Sequence, residues 1–161
     1  MRVDMRWLVI VVGGGILAVT LSWFLWADQD QQAGPTLDPD DVSLGEIGKS
    51  VYTRECAVCH GANLEGQPNW RERLPNGRLP APPHDVTGHT WHHPDQQLFD
   101  LTNYGPAMMV GTGYESDMPG YDGKLSHKEV VAVLSFIKST WPADIRRRHD
   151  QINARYRESK R

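Results

Sequence analysis

Both cysteines of the chain fall inside one short stretch, Cys56-Ala57-Val58-Cys59-His60-Gly61, with a histidine directly after the second. Few chemistries use two thiols at that spacing. A redox dithiol uses C-x-x-C, but it needs a preceding strand and gains nothing from the histidine. A zinc site can take two thiolates and two imidazoles. Covalent haem uses all three side chains: each thiol adds to one vinyl group, and the imidazole is then set beneath the iron. One helical turn carrying both thioethers along the porphyrin edge gives the spacing a reason, so covalent haem is the favoured reading. A cofactor of that size would also order irregular loops around it.

The rest of the sequence has the shape such a cofactor demands. A helical pattern starts at Leu44, with Ile47, Val51, Tyr52 and Val58 on one face, and Ser43 with Glu46 reads as a capping box. From Gly61 to His93 the chain is rich in Pro, Gly, Asn and Arg and keeps no period. A loop that long needs something to organise it, and a bound cofactor would do so. A short helix is expected after Pro94-Asp95, with Leu98, Phe99 and Leu101 as its apolar face. A second irregular loop, 105–125, holds Met108, Met109 and Met118. Ser126 and Glu129 form a capping box for the clearest helix, with Val130, Val133, Leu134, Ile137 and Trp141 on one stripe and Pro142 at its end.

The N-terminus is different. Trp7 to Trp26 is a run of twenty residues without a charge, with tryptophans at both ends. As a helix it would be about 30 Å long, enough to cross a hydrocarbon core. A cleaved leader is the alternative, but Leu25-Trp26-Ala27 is too bulky for an A-x-A-like site. Arg2 and Arg6 precede the run, and five aspartates follow it before the first lysine, Lys49. The positive-inside rule then leaves the N-terminus in the cytoplasm and the remainder outside, in the periplasm of a bacterial cell. The expected organisation is an anchor in the cytoplasmic membrane over 1–26, an acidic flexible linker over 27–43, a domain over 44–145 and a basic tail over 146–161. That tail holds seven Lys or Arg against two acids, a net +5 on a chain whose total is −3. It reads as an extension packed on the domain, with anionic lipid or an acidic partner as the alternative.

In these features, and in their order, the sequence resembles the class I c-type cytochromes in their single-haem, membrane-anchored form. The resemblance covers residues 44 to about 142. It is carried by "GKSVYTRECAVCHG", by "LPAPP" in the following loop, by "YESDMPGYDGKLSHKEVVAVL", and by the closing "FIKSTWP". It implies a mainly α fold, a small helical domain wrapped round one covalent haem c, behind the membrane helix. It implies His60 and Met118 as axial iron ligands, with Met108, Met109 or a histidine as competitors for the second place. A thioether there favours Fe(II) and raises the potential. It implies a proline carbonyl, best matched by Pro82, holding the other nitrogen of His60. It also implies a helix crossing made by Gly48 and Tyr52 against Val133 and Phe136.

Arg71, Arg73 and Arg78 are candidates for the haem propionates, and Trp70 and Trp91 for walls of the pocket. His84, His89, His92 and His93 form an H-x4-H-x2-H-H set, read as solvent-facing, with copper or zinc the alternative. Cys56, Cys59, His60, Met118 and Pro82 are therefore the cofactor-binding set, and no catalytic residue is assigned. The expected function is single-electron transfer between a redox donor and acceptor. No nucleic acid is expected as partner, and no small substrate at the iron. The alternatives are a fixed subunit of a larger oxidoreductase complex and an open-site haem protein binding peroxide or gas.

Overall fold

The computed structural model describes residues 34–161, and Pro35–Arg161 form one unit. The expected membrane anchor over 1–26 lies outside the described residues. Among the described residues no helix is long and apolar enough to cross a membrane, and none forms a strand.

The first helix, α1, runs Val42–Val51. Its cap is Asp41, whose Oδ1 accepts from the Leu44 amide at 3.0 Å, in place of the expected Ser43 box. A carboxylate is a stronger acceptor than a hydroxyl for the free amides of a first turn, and here it starts the helix earlier. That bond holds the Asp41 carboxyl below its usual range. The helix then widens into a single π turn, Tyr52–Cys56, before α2, Ala57–His60. A π turn inserts a residue into the period. The apolar face therefore loses register, and Val58, expected inside, is 84% exposed.

Two helices follow the long loop. α3 spans Asp95–Tyr104 and α4 is the short Pro106–Val110, inside a segment that the sequence marks as irregular. α5, His127–Ser139, has the expected reciprocal capping box between Ser126 and Glu129. Its stripe of Val130, Val133, Leu134 and Ile137 is buried, as is Trp141 beyond it. The crossing of α1 on α5 is the centre of the core. Gly48 is the point of closest approach: a Cβ there would lie 2.6 Å from the Ala132 carbonyl carbon and 2.7 Å from Phe136 Cβ. Beside it the Tyr52 and Phe136 rings pack with centroids 5.7 Å apart.

The basic tail is a regular helix, α6, Ala143–Ser159. Ile145, Ile152 and Tyr156 are half-buried, as an amphipathic stripe would have them, but its two fully enclosed residues are polar, His149 and Asn153. They belong to a buried knot centred on Asp95. Asn153 Nδ2 donates to Asp95 Oδ1 at 2.9 Å, and the Asp95 amide donates to Asn153 Oδ1 at 2.7 Å. His149 Nε2–H donates to the His93 carbonyl at 2.9 Å. The other Asp95 oxygen accepts the Leu37 amide at 3.1 Å. Residues 35–41, assigned to the tether by their composition, thus lie along the domain. Leu37 is 3% exposed, the Asp38 amide donates to Ser135 Oγ, and Asp40 pairs with Arg146 at 3.0 Å.

Candidate functional site

The site begins where α1 widens. The π turn carries Cys56, and α2 carries Cys59 and His60. Gly61, at φ 82°, ends α2 in a conformation that favours glycine. Tyr52, at the start of the π turn, donates its hydroxyl to the Gly61 carbonyl at 2.9 Å, closing the motif back on its own helix. Tyr121 donates to the Glu55 carbonyl at 2.9 Å from the far side of the site. The His60 ring is buried, and its Nδ1–H donates to the Pro82 carbonyl at 2.8 Å. Because a carbonyl only accepts, that bond fixes the proton on Nδ1 and leaves the Nε2 lone pair free as a ligand. Burial pushes the imidazole pKa down, which keeps it in this neutral form.

The loop from Gly61 to His93 is held by its own backbone. The Gly66 amide donates to the His60 carbonyl, Gln67 to Ala81 and His84 to Leu64, each at 2.8 Å. The Trp141 indole, at the end of α5, donates to the His84 carbonyl at 2.8 Å. These bonds carry Pro82 to its place over His60.

Met118 is delivered by a different device. The helix α3 ends with free carbonyls, and the chain after Met118 supplies their donors. The Tyr121 amide lies 2.8 Å from the Asn103 carbonyl, and the Asp122 amide shares that acceptor. Gly120 allows the approach: a Cβ on it would meet the Tyr104 carbonyl group at 2.8 Å. Met118-Pro119 is thereby laid along the mouth of a cavity of about 260 Å³. Cys56, Cys59, His60, His84, Met118 and Tyr121 line it, with Val133, Leu134 and Ile137 of α5 as an apolar wall. Met108 and Met109, on α4, are 73% and 42% exposed and are not among its lining residues.

His84 is the residue that sequence reasoning placed elsewhere. Its ring stacks on His60 with centroids 4.0 Å apart, and Nδ1 meets Thr90 Oγ1 at 2.8 Å. Burial, and then the neighbouring His60, hold its pKa well below the ordinary value, so it is neutral. The signal was present: it stands two residues after Pro82, whose carbonyl sits on the same imidazole. The other three histidines are apart from it. His89 stacks on Trp70, His92 stacks on Trp91, and His93 meets the edge of His89. No three His, Cys, Asp or Glu side chains converge as metal ligands among the described residues.

None of the arginine and tryptophan candidates lines the cavity, though Arg78 pairs with a residue that does, Asp117. Arg71 lies over the Trp70 ring at 4.0 Å, and Arg73 donates to the Gly77 carbonyl at 2.6 Å. Arg78 pairs with Glu115, at 3.2 Å, and with Asp117. It therefore joins the first loop to the segment just before Met118. Neither Trp70 nor Trp91 is a lining residue.

The donor set discriminates among the three chemistries. Burial, reinforced by Glu55, pushes the Cys56 thiol up to about 11. A redox dithiol needs the opposite shift, and among the described residues no strand precedes the motif. A zinc ion would need two further ligands beside the cysteines; His60 and His84 line the same cavity, but among the described residues no three such side chains converge as metal ligands. What the cavity offers is two thiols, the Nε2 lone pair of His60 with the His84 ring stacked on it, one thioether and an apolar wall, a set that suits haem.

The cytochrome c family model matches residues 45–141. The chain belongs to the cytochrome c family. No match was found among curated proteins or among solved structures. This c-type cytochrome binds haem c, with its iron, covalently, and the spacing of Cys56 and Cys59 is that of the attachment motif. It is a haem protein of electron transfer, in a family whose members are generally carriers rather than enzymes and whose partners are redox proteins.

Proposed function

We propose that the protein is a single-haem, membrane-anchored cytochrome c that moves electrons one at a time between redox complexes on the periplasmic face of the cytoplasmic membrane. The observation that carries the electron-transfer part is the convergence of Cys56, Cys59, His60 and Met118 on one cavity, with His60 oriented by Pro82. When bound, the haem supplies an iron that cycles between two oxidation states. Cys56 and Cys59 would tie it down, and His60 and Met118 would be the iron's two protein ligands, leaving no place for a substrate. Met118 is chosen over Met108 and Met109 because it alone of the three lines the cavity. Val133, Leu134 and Ile137 keep water from that side and favour the less charged reduced form.

The anchor and its orientation rest on the uncharged run Trp7–Trp26 and the charges flanking it. The single attachment motif supports a single haem. The test is an optical spectrum of the purified full chain, oxidised and reduced, with and without CO. The expected result is a low-spin spectrum with a sulfur-to-iron band, unmoved by CO, lost in Met118→Ala and kept in Met108→Ala and Met109→Ala. A high-spin spectrum that shifts on CO would refute the closed site. Flotation of the full chain with zwitterionic vesicles tests the anchor separately.

A further inference from the structure

The C-terminal helix α6 presents a cationic surface that the electron-transfer reading does not use. Arg147, Arg148, Arg155, Arg157, Lys160 and Arg161 are all exposed. Among the described residues none of them has a carboxylate partner, whereas Arg146, at the edge of the face, pairs with Asp40. The helix is not free to roll. Ile145, His149, Ile152, Asn153 and Tyr156 seat it on the domain, and Lys138 of α5, itself buried, grips Asp150 at 2.7 Å. The cations are therefore held outward as a fixed feature of the surface. Alanines 143 and 154 are the only apolar residues exposed on the helix, so the face is built to adhere rather than to insert.

The charge around it is opposite. Residues 34–145 hold eight Lys or Arg against fifteen Asp or Glu, a net −7, against the net +5 of residues 146–161. A negatively charged plane would repel most orientations of this domain and accept the one that puts α6 against it. The path of the chain favours a bilayer as that plane. The arm enters the domain beside α6: Asp40 pairs with Arg146, and Pro39 and Asp40 line one open surface groove with Ala143, Arg146, Arg147 and Asp150. Only residues 27–34 separate the arm from the end of the apolar run. Eight residues reach about 26–29 Å at full stretch. A short tether makes the encounter of the face with the surface intramolecular, so weak contacts suffice.

We infer that α6 docks on anionic lipid headgroups and so fixes the orientation of the haem domain relative to the bilayer. This rests on the anchored reading above. The face engages by charge alone, without inserting, and releases as salt rises.

The experiment uses the haem-loaded full chain, in which Cys56 and Cys59 are tied up in thioethers, with a nitroxide on Ala154→Cys in the middle of the exposed face. The chain is reconstituted in phosphatidylcholine bilayers with and without about 30% phosphatidylglycerol, and accessibility to a water-soluble paramagnetic reagent is read at low salt and at about 0.5 M, where screening reaches only a few Å. Accessibility is expected to fall about twofold or more on the anionic bilayer only and to recover in salt. In Arg147→Glu/Arg148→Glu/Arg155→Glu, all at exposed positions, it should stay high throughout; a label on Ser43→Cys of α1 should not respond. Equal accessibility on both bilayers overturns the inference. Shielding by soluble polyglutamate but not by the anionic bilayer also overturns it and gives the face to an acidic protein. A chain that fails to float with zwitterionic vesicles refutes the anchor instead, and so separates the two failures.

Discussion

Gly45 and Gly48 sit three residues apart on α1, and the same substitution at each should have opposite effects. A Cβ at Gly45 meets nothing within 4 Å. Replacing glycine by alanine inside an exposed helix removes backbone entropy from the unfolded chain, so Gly45→Ala should stabilise by about 1 kcal/mol. Gly48→Ala gains the same term and loses a larger one. Ordinary contact begins at 3.4 Å, and the new Cβ would lie 2.6 Å from the Ala132 carbonyl carbon, closer still to its oxygen. The obstruction is backbone, so α1 and α5 must part by at least 0.8 Å, the difference of those two distances. A radial gap of that size forfeits a quarter to a half of each dispersion contact across the crossing. Overpacking a close-packed core costs about 1–3 kcal/mol, and a clash with the backbone of the facing helix belongs at the upper end. Subtracting the propensity gain leaves a net loss of about 2 kcal/mol, a fall of roughly 6–10 °C in Tm for a domain of this size. The assay is thermal unfolding of both variants, haem-loaded, by far-ultraviolet circular dichroism. If Gly48→Ala is as stable as Gly45→Ala, the two helices do not cross at Gly48 and the account of the core fails.

Leu37→Ala should cost about 2–5 kcal/mol in denaturant unfolding, because Leu37 is buried in the core although it lies in the acidic arm; a change below about 1 kcal/mol would mean that the arm is not packed. Burial holds the His149 imidazole below its usual range and outweighs the pull of Asp95, with Lys138 acting in the same direction as burial and the His93 carbonyl and Asp150 against it. Below about pH 6.5 the unfolded chain then takes a proton that the folded one refuses, so stability present at neutral pH should be lost as pH falls. His149→Gln should flatten the fall in Tm between about pH 7 and 5, and an unchanged slope would refute the assignment. Arg78→Gln should speed limited proteolysis between Gly111 and Asp117, because Arg78 is the side chain that fastens this segment to the preceding loop. High salt should reproduce the effect in the unaltered chain, since the pair is exposed and screened.

The attachment motif and the α5 helix were legible because each is decided locally: the motif by covalent chemistry, the helix by its capping box and stripe. The crossing at Gly48 followed from the family resemblance and is present. The π turn was not legible, since a single inserted residue leaves the apolar pattern intact while turning Val58 outward. His84 looked like one member of a surface cluster because periodicity carries no information in a loop; only the path of the backbone past Pro82 puts it on His60. The C-terminal segment was expected to pack on the domain and does, but the residues that seat it deepest were hidden for a related reason. Its enclosed residues, His149 and Asn153, are polar, and a polar residue signals burial only when its partners are known. Those partners, Asp95 and the His93 carbonyl, are more than fifty residues away in the chain.

Both ends of the described chain are fastened to one carboxylate. The arm reaches Asp95 through the Leu37 amide, and α6 reaches it through Asn153. Tension applied along the N-terminal arm is therefore delivered to the start of α3 and shared with the last helix. Ser135 of α5 also holds the arm, through the Asp38 amide, so the pull reaches the helix whose Val133, Leu134 and Ile137 wall the cavity.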